Sequence, residues 1–483
     1  MDILFCTSEA YPLVKTGGLA DVSGSLPKWL RELGNDVRLI LPAYPATTEH
    51  AGDLTIVAKL SVAGTSEPVH ILEGRIDHAG LRFYLVDSPV HFRRPGNPYA
   101  REDGSPWPDN AQRFAVFARA ATALALGQAG LDWKPQLVHC NDWQSGLVPP
   151  LLSLHETRPG TLFTIHNLSY QGIFPAGTFG DLALPTSLWS INGVEFHGQL
   201  SFMKGGIARA DWVTTVSPTY AREICTPQFG YGLAGLLQYR TSSLTGILNG
   251  IDCEVWNPAT DPAIAQRYDR YSLHRKARNR SALLREFGLP ADPQVLLLAH
   301  IGRLVDQKGI DLILDALDAL FGHPVQLIVL GRGDTSLEAR LAEAAARYPR
   351  QLAVRIGHDE LLAHRIAAGA DGFLMPSRYE PCGLSQMYSL RYGTLPIVRQ
   401  TGGLADSVVD LNDETARTGT ATGFTFREDT PEGVLQACLR AVSHFRESRV
   451  GWWKMVIAGM KQDFSWEGSA RRYQELYQRV FGA

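Results

Sequence analysis

Short continuous apolar runs alternate with amphipathic stripes along most of this chain. Ile3 to Thr7 and Asp36 to Leu41 are runs of the kind buried on both faces of a parallel sheet. Between them Leu19, Val22, Leu26, Trp29, Leu30 and Leu33 recur at helical spacing, and Gly34 stands where a helix ordinarily stops. Strand, glycine turn, helix and strand make one βαβ unit with a right-handed crossover. The second half repeats the pattern. Val295 to Ile301, Val325 to Leu330, Leu352 to Ile356, Gly372 to Met375 and Leu395 to Val398 read as strands, with helical stripes between them such as Ile310, Ile313, Leu314, Leu317 and Leu320. The fold class predicted is α/β, with two doubly wound, Rossmann-like domains. Periodicity lapses between Gly246 and Pro262, which marks a hinge at 247–258. Two such domains would hold ligands at the carboxyl ends of their strands, in a cleft between them. Arg267 to Arg285, basic residues alternating with apolar ones, reads as a solvated helix.

Length supports more than one core, since 483 residues exceed what a single domain ordinarily holds. The 46 basic and 49 acidic residues leave a net charge of −3, which provides no broad positive field for nucleic acid or anionic lipid. Any phosphate recognition must be local. The opening Met1-Asp2-Ile3-Leu4-Phe5-Cys6 lacks the basic lead of a secretory signal, and no stretch approaches the ~20 apolar residues of a membrane span. Six dispersed cysteines form no CxxC pair, so neither a zinc site nor a disulfide framework is expected, and the compartment expected is the cytoplasm.

Candidate chemistry centres on a hexapeptide that occurs twice. Thr-Gly-Gly-Leu-Ala-Asp spans Thr16 to Asp21 and again Thr401 to Asp406, each time leading into a helical stripe. A turn of this kind is expected to leave backbone N–H groups free at a helix N-terminus, where a phosphate is readily held. Several familiar sites are excluded. Gly331-Arg332-Gly333-Asp334 lacks the third glycine of a dinucleotide fingerprint, and there is no phosphate-loop GxxxxGK[ST], no Asp-x-Asp metal pair and no GxSxG elbow. No metal is therefore expected, and side-chain cations must balance any diphosphate. Arg303 and Lys308 follow a strand and could converge on a departing phosphate, although two surface cations in a βα loop remain an open alternative. Lys15 precedes the first glycine turn with the same two readings. Glu380, in Tyr379-Glu380-Pro381-Cys382-Gly383-Leu384, stands either as a site carboxylate or as a plain helix cap. His139 to Asp142 and His166-Asn167 end successive apolar runs, which places two polar clusters at neighbouring strand ends.

Taken together, these motifs resemble the bacterial glycogen synthases and their starch synthase relatives, and the resemblance runs from end to end. It rests on Lys15-Thr16-Gly17-Gly18-Leu19-Ala20-Asp21-Val22, His139-Cys140-Asn141-Asp142-Trp143-Gln144, Thr164 to Gly172, Asn249-Gly250-Ile251-Asp252 and Pro376 to Leu384. It implies a GT-B architecture: residues 1–246 as an N-terminal Rossmann-like domain, 259–455 as the nucleotide-sugar domain, and 456–483 as a helix crossing back to the first. It also implies transfer of glucose from ADP-glucose to the non-reducing end of an α-1,4-glucan such as glycogen, with retention of configuration and no cofactor. By the resemblance, Glu380, His166, Lys15 and Asp142 would be catalytic. Lys15, Gly18, Asp21, Asn249, Arg303, Lys308, His358, Cys382, Gly383, Leu384, Thr401, Gly402 and Gly403 would contact the donor. Tyr99 and Asn167 would lie in the acceptor or sugar cleft.

The residues agree with the chemistry that this implies. Breaking a sugar–phosphate bond leaves an oxocarbenium-like centre and an anion, which calls for cations at the phosphate and a carboxylate or carbonyl near the sugar. No second carboxylate is assignable to the opposite sugar face, so front-face departure and attack is the expected route to retention. Two positions depart from the family pattern. His358 stands where many relatives carry an adenine-stacking aromatic, and Gln386 stands where many retaining GT-B enzymes carry a second acid. The alternatives are a related enzyme that uses UDP-glucose or a small acceptor, and a catalytically silent glucan-binding protein. The intact set of Lys15, Arg303, Lys308 and Glu380 argues against the silent form.

Overall fold

Leu39, Ile40 and Leu41 have no exposed surface, as strands covered on both faces require, and the apolar runs do form parallel strands. The computed structural model describes residues 1–76 and 80–482. These fall into two units, one built from Met1–Gly250 and the segment from Trp466 onward, the other from Ile251–Ser465.

In the first unit the chain forms β1 (Asp2–Cys6), β2 (Asp36–Pro42), β3 (Thr55–Leu60), β4 (Val69–Ile76), β5 (Leu81–Asp87), β6 (Leu137–Asn141) and β7 (Gly160–Ile165). A small antiparallel sheet of β8 (Ile173–Phe174), β9 (Glu195–Phe196) and β10 (Gln199–Ser201) precedes β11 (Trp212–Thr215) and β12 (Leu244–Gly246). The main sheet has the order β12-β11-β7-β6-β1-β2-β5-β4-β3. It is parallel except for β4 and β3, which pair antiparallel at one edge. Because β1 lies between β2 and β6, the chain leaves it in opposite directions on its two sides, and the carboxyl ends of β1 and β6 form a topological switch point.

The second unit contains β13 (Leu296–Ile301), β14 (Val325–Gly331), β15 (Leu352–Ile356), β16 (Gly372–Met375), β17 (Leu395–Arg399) and β18 (Phe424–Phe426). They form a fully parallel sheet of order β15-β14-β13-β16-β17-β18, whose switch point lies between β13 and β16. Buried apolar layers cover both faces of this sheet. The helix Ile310–Leu320 buries Ile310, Ile313, Leu317 and Leu320, four of the five residues of the predicted stripe.

Two expectations are corrected. The basic stretch is not one solvated helix, because residues 267–275 are irregular apart from a short 3-10 turn and the helix runs only over Lys276–Glu286. Lys276 itself is buried, donating to the Ala368 carbonyl at 2.8 Å and to Thr394 Oγ1 at 2.8 Å. Burial lowers its ammonium to about 7. The returning segment also begins later than 456. The helix Arg449–Met460 stays with the second unit, where Val456 and Met460 pack beside Gly393, and the part belonging to the first unit starts at Trp466. Ala483, its last residue, lies outside the described residues.

The helix Trp466–Phe481 packs on the first unit through buried Trp466, Tyr473, Leu476 and Tyr477. The Tyr477 hydroxyl lies 2.7 Å from His139 Nδ1, while His139 Nε2 lies 2.6 Å from Thr164 Oγ1. His139 is fully buried, so its role is to tie β6 and β7 to the last helix. Tyr477→Phe leaves a buried ring nitrogen without its partner and should cost about 1–3 kcal/mol, read as a lower unfolding midpoint of this unit in urea. An unchanged midpoint would show that the helix docks by apolar contact alone.

Candidate functional site

At the switch point of the first unit, the chain leaving β1 passes through Thr7, Ser8 and Glu9, all buried. Glu9 is only 3% exposed, yet its carboxylate is fully engaged. One oxygen accepts the N–H groups of Thr16 and Gly17, the latter at 3.2 Å. The other accepts the Thr16 hydroxyl at 2.7 Å and the Tyr99 hydroxyl. Tyr99 in turn lies 2.8 Å from Ser8 Oγ. This corrects the expectation that the first glycine turn leaves its N–H groups free, because an internal carboxylate takes two of them. The helix then starts at Gly18. Lys15 and Asp21 are paired with each other at 2.7 Å, both partly exposed.

The neighbouring strand ends bring together Asp142, His166 and Asn167. Asp142 Oδ1 accepts the His166 N–H at 2.8 Å and the Asn167 N–H at 3.4 Å. Burial, opposed in part by these two bonds and reinforced by the charge of Glu9, raises the Asp142 carboxyl to about 7. Asp142 also has φ 54 and ψ 179, a backbone region that favours glycine and costs about 1–3 kcal/mol. His166 Nε2 lies 2.9 Å from Asn141 Oδ1, and burial depresses its imidazole to about 3, so the ring is neutral across the ordinary pH range. The Asn167 side chain is occupied in a local turn, accepting the Ser169 N–H and hydroxyl at 3.1 and 2.8 Å. Asn249, following β12, is buried, and its Oδ1 has no hydrogen-bond partner among the described residues.

The residue after Asp142, Trp143, lines an open groove of about 650 Å³ together with Trp107, Tyr170, Gln171, Phe174 and Tyr231. Tyr170 is 52% exposed and Tyr231 is 38% exposed. Gln171 is 6% exposed and donates through Nε2 to the Tyr231 carbonyl at 2.9 Å. Its Oε1 has no hydrogen-bond partner among the described residues. Such a surface offers flat apolar faces with a few fixed polar groups.

In the second unit the loops after β13 and β16 are locked together. The Arg378 N–H donates to the Gln307 carbonyl at 2.9 Å, and Gln307 Nε2 donates to the Tyr379 carbonyl at 3.1 Å. Gly309 has φ +67 and lies so close to the Pro376 carbonyl that a side chain would strike it. This register brings Lys308 Nζ within 2.5 Å of Glu380 Oε2, with Ser377 Oγ donating to the same oxygen at 3.1 Å. The Glu380 side chain therefore caps no helix in this arrangement. It is 6% exposed and charge-balanced. Arg303, on the same loop as Lys308, is exposed and reaches Gln307 Oε1 at 3.3 Å.

The second TGGLAD copy serves this loop. Gly403 N–H donates to the Glu380 and Pro381 carbonyls at 3.1 and 3.2 Å, and Thr401 N–H donates to the Arg399 carbonyl at 2.9 Å. These two amides are thus committed within the chain, which corrects the expectation that both would be offered to a diphosphate. Gly402 has φ +44, and a side chain there would strike the Glu380 carbonyl. Gln386, at the position of the missing second acid, is fully buried and donates to the Cys382 and Gly383 carbonyls at 3.1 and 2.9 Å. It shapes the turn in which Gly383 has φ +70 and Leu384 precedes the helix Ser385–Arg391. His358 stands exposed after β15, next to Asp359, which caps the following helix.

Glu9 and the aromatic groove are absent from the sequence candidates, while Asn141 and Ser377 lie inside the motifs singled out there but are given no role. The signal for Glu9 was its place three residues beyond β1, in the segment that leads to the first glycine turn.

The chain matches the family model described as the starch synthase catalytic domain over residues 2–239 and that described as glycosyl transferases group 1 over residues 285–437. It is 52% identical over 478 residues to glycogen synthase 2 of Nitrosococcus oceani, covering 99% of this chain and 97% of that protein. It is 53% identical over 480 residues to glycogen synthase 1 of Methylococcus capsulatus, covering 99% and 97%. The solved catalytic domain of starch synthase IV from Arabidopsis thaliana, bound to ADP and acarbose, matches with a TM-score of 0.89 at 34% identity, covering 100% of this chain and 99% of that one.

The raised Asp142 carboxyl has a consequence for stability. In the unfolded chain it ionises near 4, in the folded protein at about 7. Ionisation therefore favours the unfolded state progressively between these values, by up to about 4 kcal/mol above both, and has no effect below both. Asp142→Asn keeps an acceptor for the His166 N–H and removes the charge. Its unfolding midpoint relative to the parent should rise between pH 4 and pH 8, and an equal difference at both pH values would contradict the assignment.

Proposed function

The chain belongs to the bacterial glycogen synthase family of GT-B glycosyltransferases, and from that premise we propose that it transfers glucose from ADP-glucose to the non-reducing 4-hydroxyl of an α-1,4-glucan, with retention of configuration. The observation that carries the reading is the Lys308–Glu380 pair, a cation and a carboxylate held 2.5 Å apart at the switch point of the second unit. An ammonium has three donors, so Lys308 can keep Glu380 and still hold a phosphate oxygen, with Arg303 on the same loop adding a second positive charge. In the proposed step the bond between the anomeric carbon and the diphosphate oxygen breaks. The acceptor 4-hydroxyl bonds to that carbon on the same face, and its proton passes to the departing phosphate. Glu380, oriented by Ser377, faces the positive charge that develops on the sugar.

Lys15, Gly18, Asp21 and Asn249 are proposed as donor contacts from the first unit, with neutral His166 and Asp142 near the transferred glucose. The unpartnered Asn249 Oδ1 supports this, being a buried acceptor available to a sugar hydroxyl. Gly402, Cys382, Gly383 and Leu384 are proposed to shape the diphosphate side. The aromatic groove supports a glucan over a small acceptor, because its Trp and Tyr faces suit stacked sugar rings and Gln171 Oε1 can accept from a hydroxyl.

ADP as the leaving nucleotide is supported by the starch synthase relative that was solved with ADP, and the exposed His358 ring is proposed to lie against the base. The reading assigns no metal, since Lys15, Arg303 and Lys308 supply the positive charge. Among the described residues no helix is long and apolar enough to cross a membrane, and the cytoplasm is the proposed compartment.

Glycogen elongation with ADP-glucose and UDP-glucose at equal concentration, in the presence of EDTA, tests this reading. Elongation at least about tenfold faster with ADP-glucose, undiminished by the chelator, is expected. A preference for UDP-glucose, or loss of activity on chelation, would overturn the donor or the metal assignment respectively.

A further inference from the structure

Glu9 has the strongest claim to an unassigned role. It is a buried carboxylate whose four donors, the Thr16 N–H, the Thr16 hydroxyl, the Gly17 N–H and the Tyr99 hydroxyl, include no cation. These donors come from two segments far apart in sequence. One is the glycine loop that carries Lys15 and Gly18. The other is the loop after β5, and it leads directly into the aromatic groove. The Tyr99 carbonyl accepts the Trp107 N–H at 3.3 Å and Asn110 Nδ2 at 3.0 Å, and Trp107 and Asn110 line the groove. Buried Arg113 stiffens the same wall, donating to the Pro98 carbonyl at 3.0 Å, to Asn110 Oδ1 at 2.6 Å and to the His91 carbonyl at 2.7 Å. A continuous chain of hydrogen bonds thus runs from Thr16 and Gly17 through Glu9 and Tyr99 to the groove.

We propose that Glu9 is a positioning residue that sets the glycine loop and the groove wall in one register, so that donor-side and acceptor-side groups of the first unit are ordered together. The proposal rests on the reading of that loop as a donor contact and of the groove as the seat of the glucan. Its physical basis is the cost of leaving a buried carboxylate short of donors, which neither segment can avoid by moving alone. Glu9 acts through Thr16, Gly17 and Tyr99, not on the substrate. Its charge also bears on Asp142, whose carboxyl it helps to hold protonated.

Crossed effects distinguish this role from a merely structural one. ADP and maltohexaose affinities are measured by calorimetry on the full chain for Glu9→Gln, Thr16→Val and Tyr99→Phe, alongside thermal melts. Thr16→Val, on the glycine loop, should weaken maltohexaose about three- to tenfold. Tyr99→Phe, on the groove side, should weaken ADP by a similar factor, since each removes a bond to a charged group. Glu9→Gln should weaken both ligands, and combining it with Tyr99→Phe should add less than about twofold, as expected for two ends of one bond. If Glu9→Gln does not fold, the crossed effects of the other two variants decide alone. Effects confined to each variant's own side, or parent-like binding of both ligands by Glu9→Gln, would overturn the proposal while leaving the function intact. A parent protein that binds neither ADP nor maltohexaose would overturn the underlying reading and the proposal with it.

Discussion

A carboxylate taken out of water stays charged only if donors or a cation replace its hydration, and both switch points of this protein are organised around that requirement. In the second unit Glu380 is satisfied by Lys308 and Ser377, which forces the loops after β13 and β16 into one register. In the first unit Glu9 is satisfied by N–H and O–H donors alone, which forces the glycine loop and the Tyr99 loop together. The parallel sheets bring these loops to one end of each unit. The carboxylates then decide how the loops sit.

The repeated hexapeptide shows the same requirement met in two ways. At Thr16 to Asp21 the turn gives the amides of Thr16 and Gly17 to the Glu9 side chain, and its aspartate pairs with the preceding Lys15. At Thr401 to Asp406 the turn gives an amide to the backbone carbonyl of Glu380, and Gly402 is required because any side chain would collide with that carbonyl. Identical residues thus hold a buried acid in one unit and the backbone of an acidic loop in the other. The expectation of a bare anion site overlooked this, since a turn's free amides attract protein acceptors as readily as phosphate.

What was legible in the sequence was what local periodicity encodes. Strands such as Ile3 to Thr7 and Val325 to Leu330, and helices such as Ile310–Leu320, appear within a residue or two of expectation. The polar clusters at the ends of β6 and β7 were visible because they directly follow apolar runs. What was not legible depends on contacts across long stretches of chain. Tyr99 meets Glu9 across 90 residues, His139 meets Tyr477 across 338, and Lys276 finds its acceptors more than 90 residues away. Spacing alone could not show that His139 serves the last helix while Asp142, three residues on, faces His166. The late start of the returning segment was hidden for a similar reason, because only contacts assign the helix Arg449–Met460 to the second unit and the chain from Trp466 onward to the first.

Glu380, fixed by Lys308, is proposed to serve the transfer step and not the holding of nucleotide. The most direct test compares Glu380→Gln with the parent protein in two measurements, single-turnover glucose transfer to glycogen and equilibrium affinity for ADP. Transfer is expected to fall by at least about a hundredfold, the scale of a lost electrostatic contact to a transition state, while ADP affinity changes by less than about threefold. Equal losses in both would contradict it and make Glu380 a structural partner of Lys308.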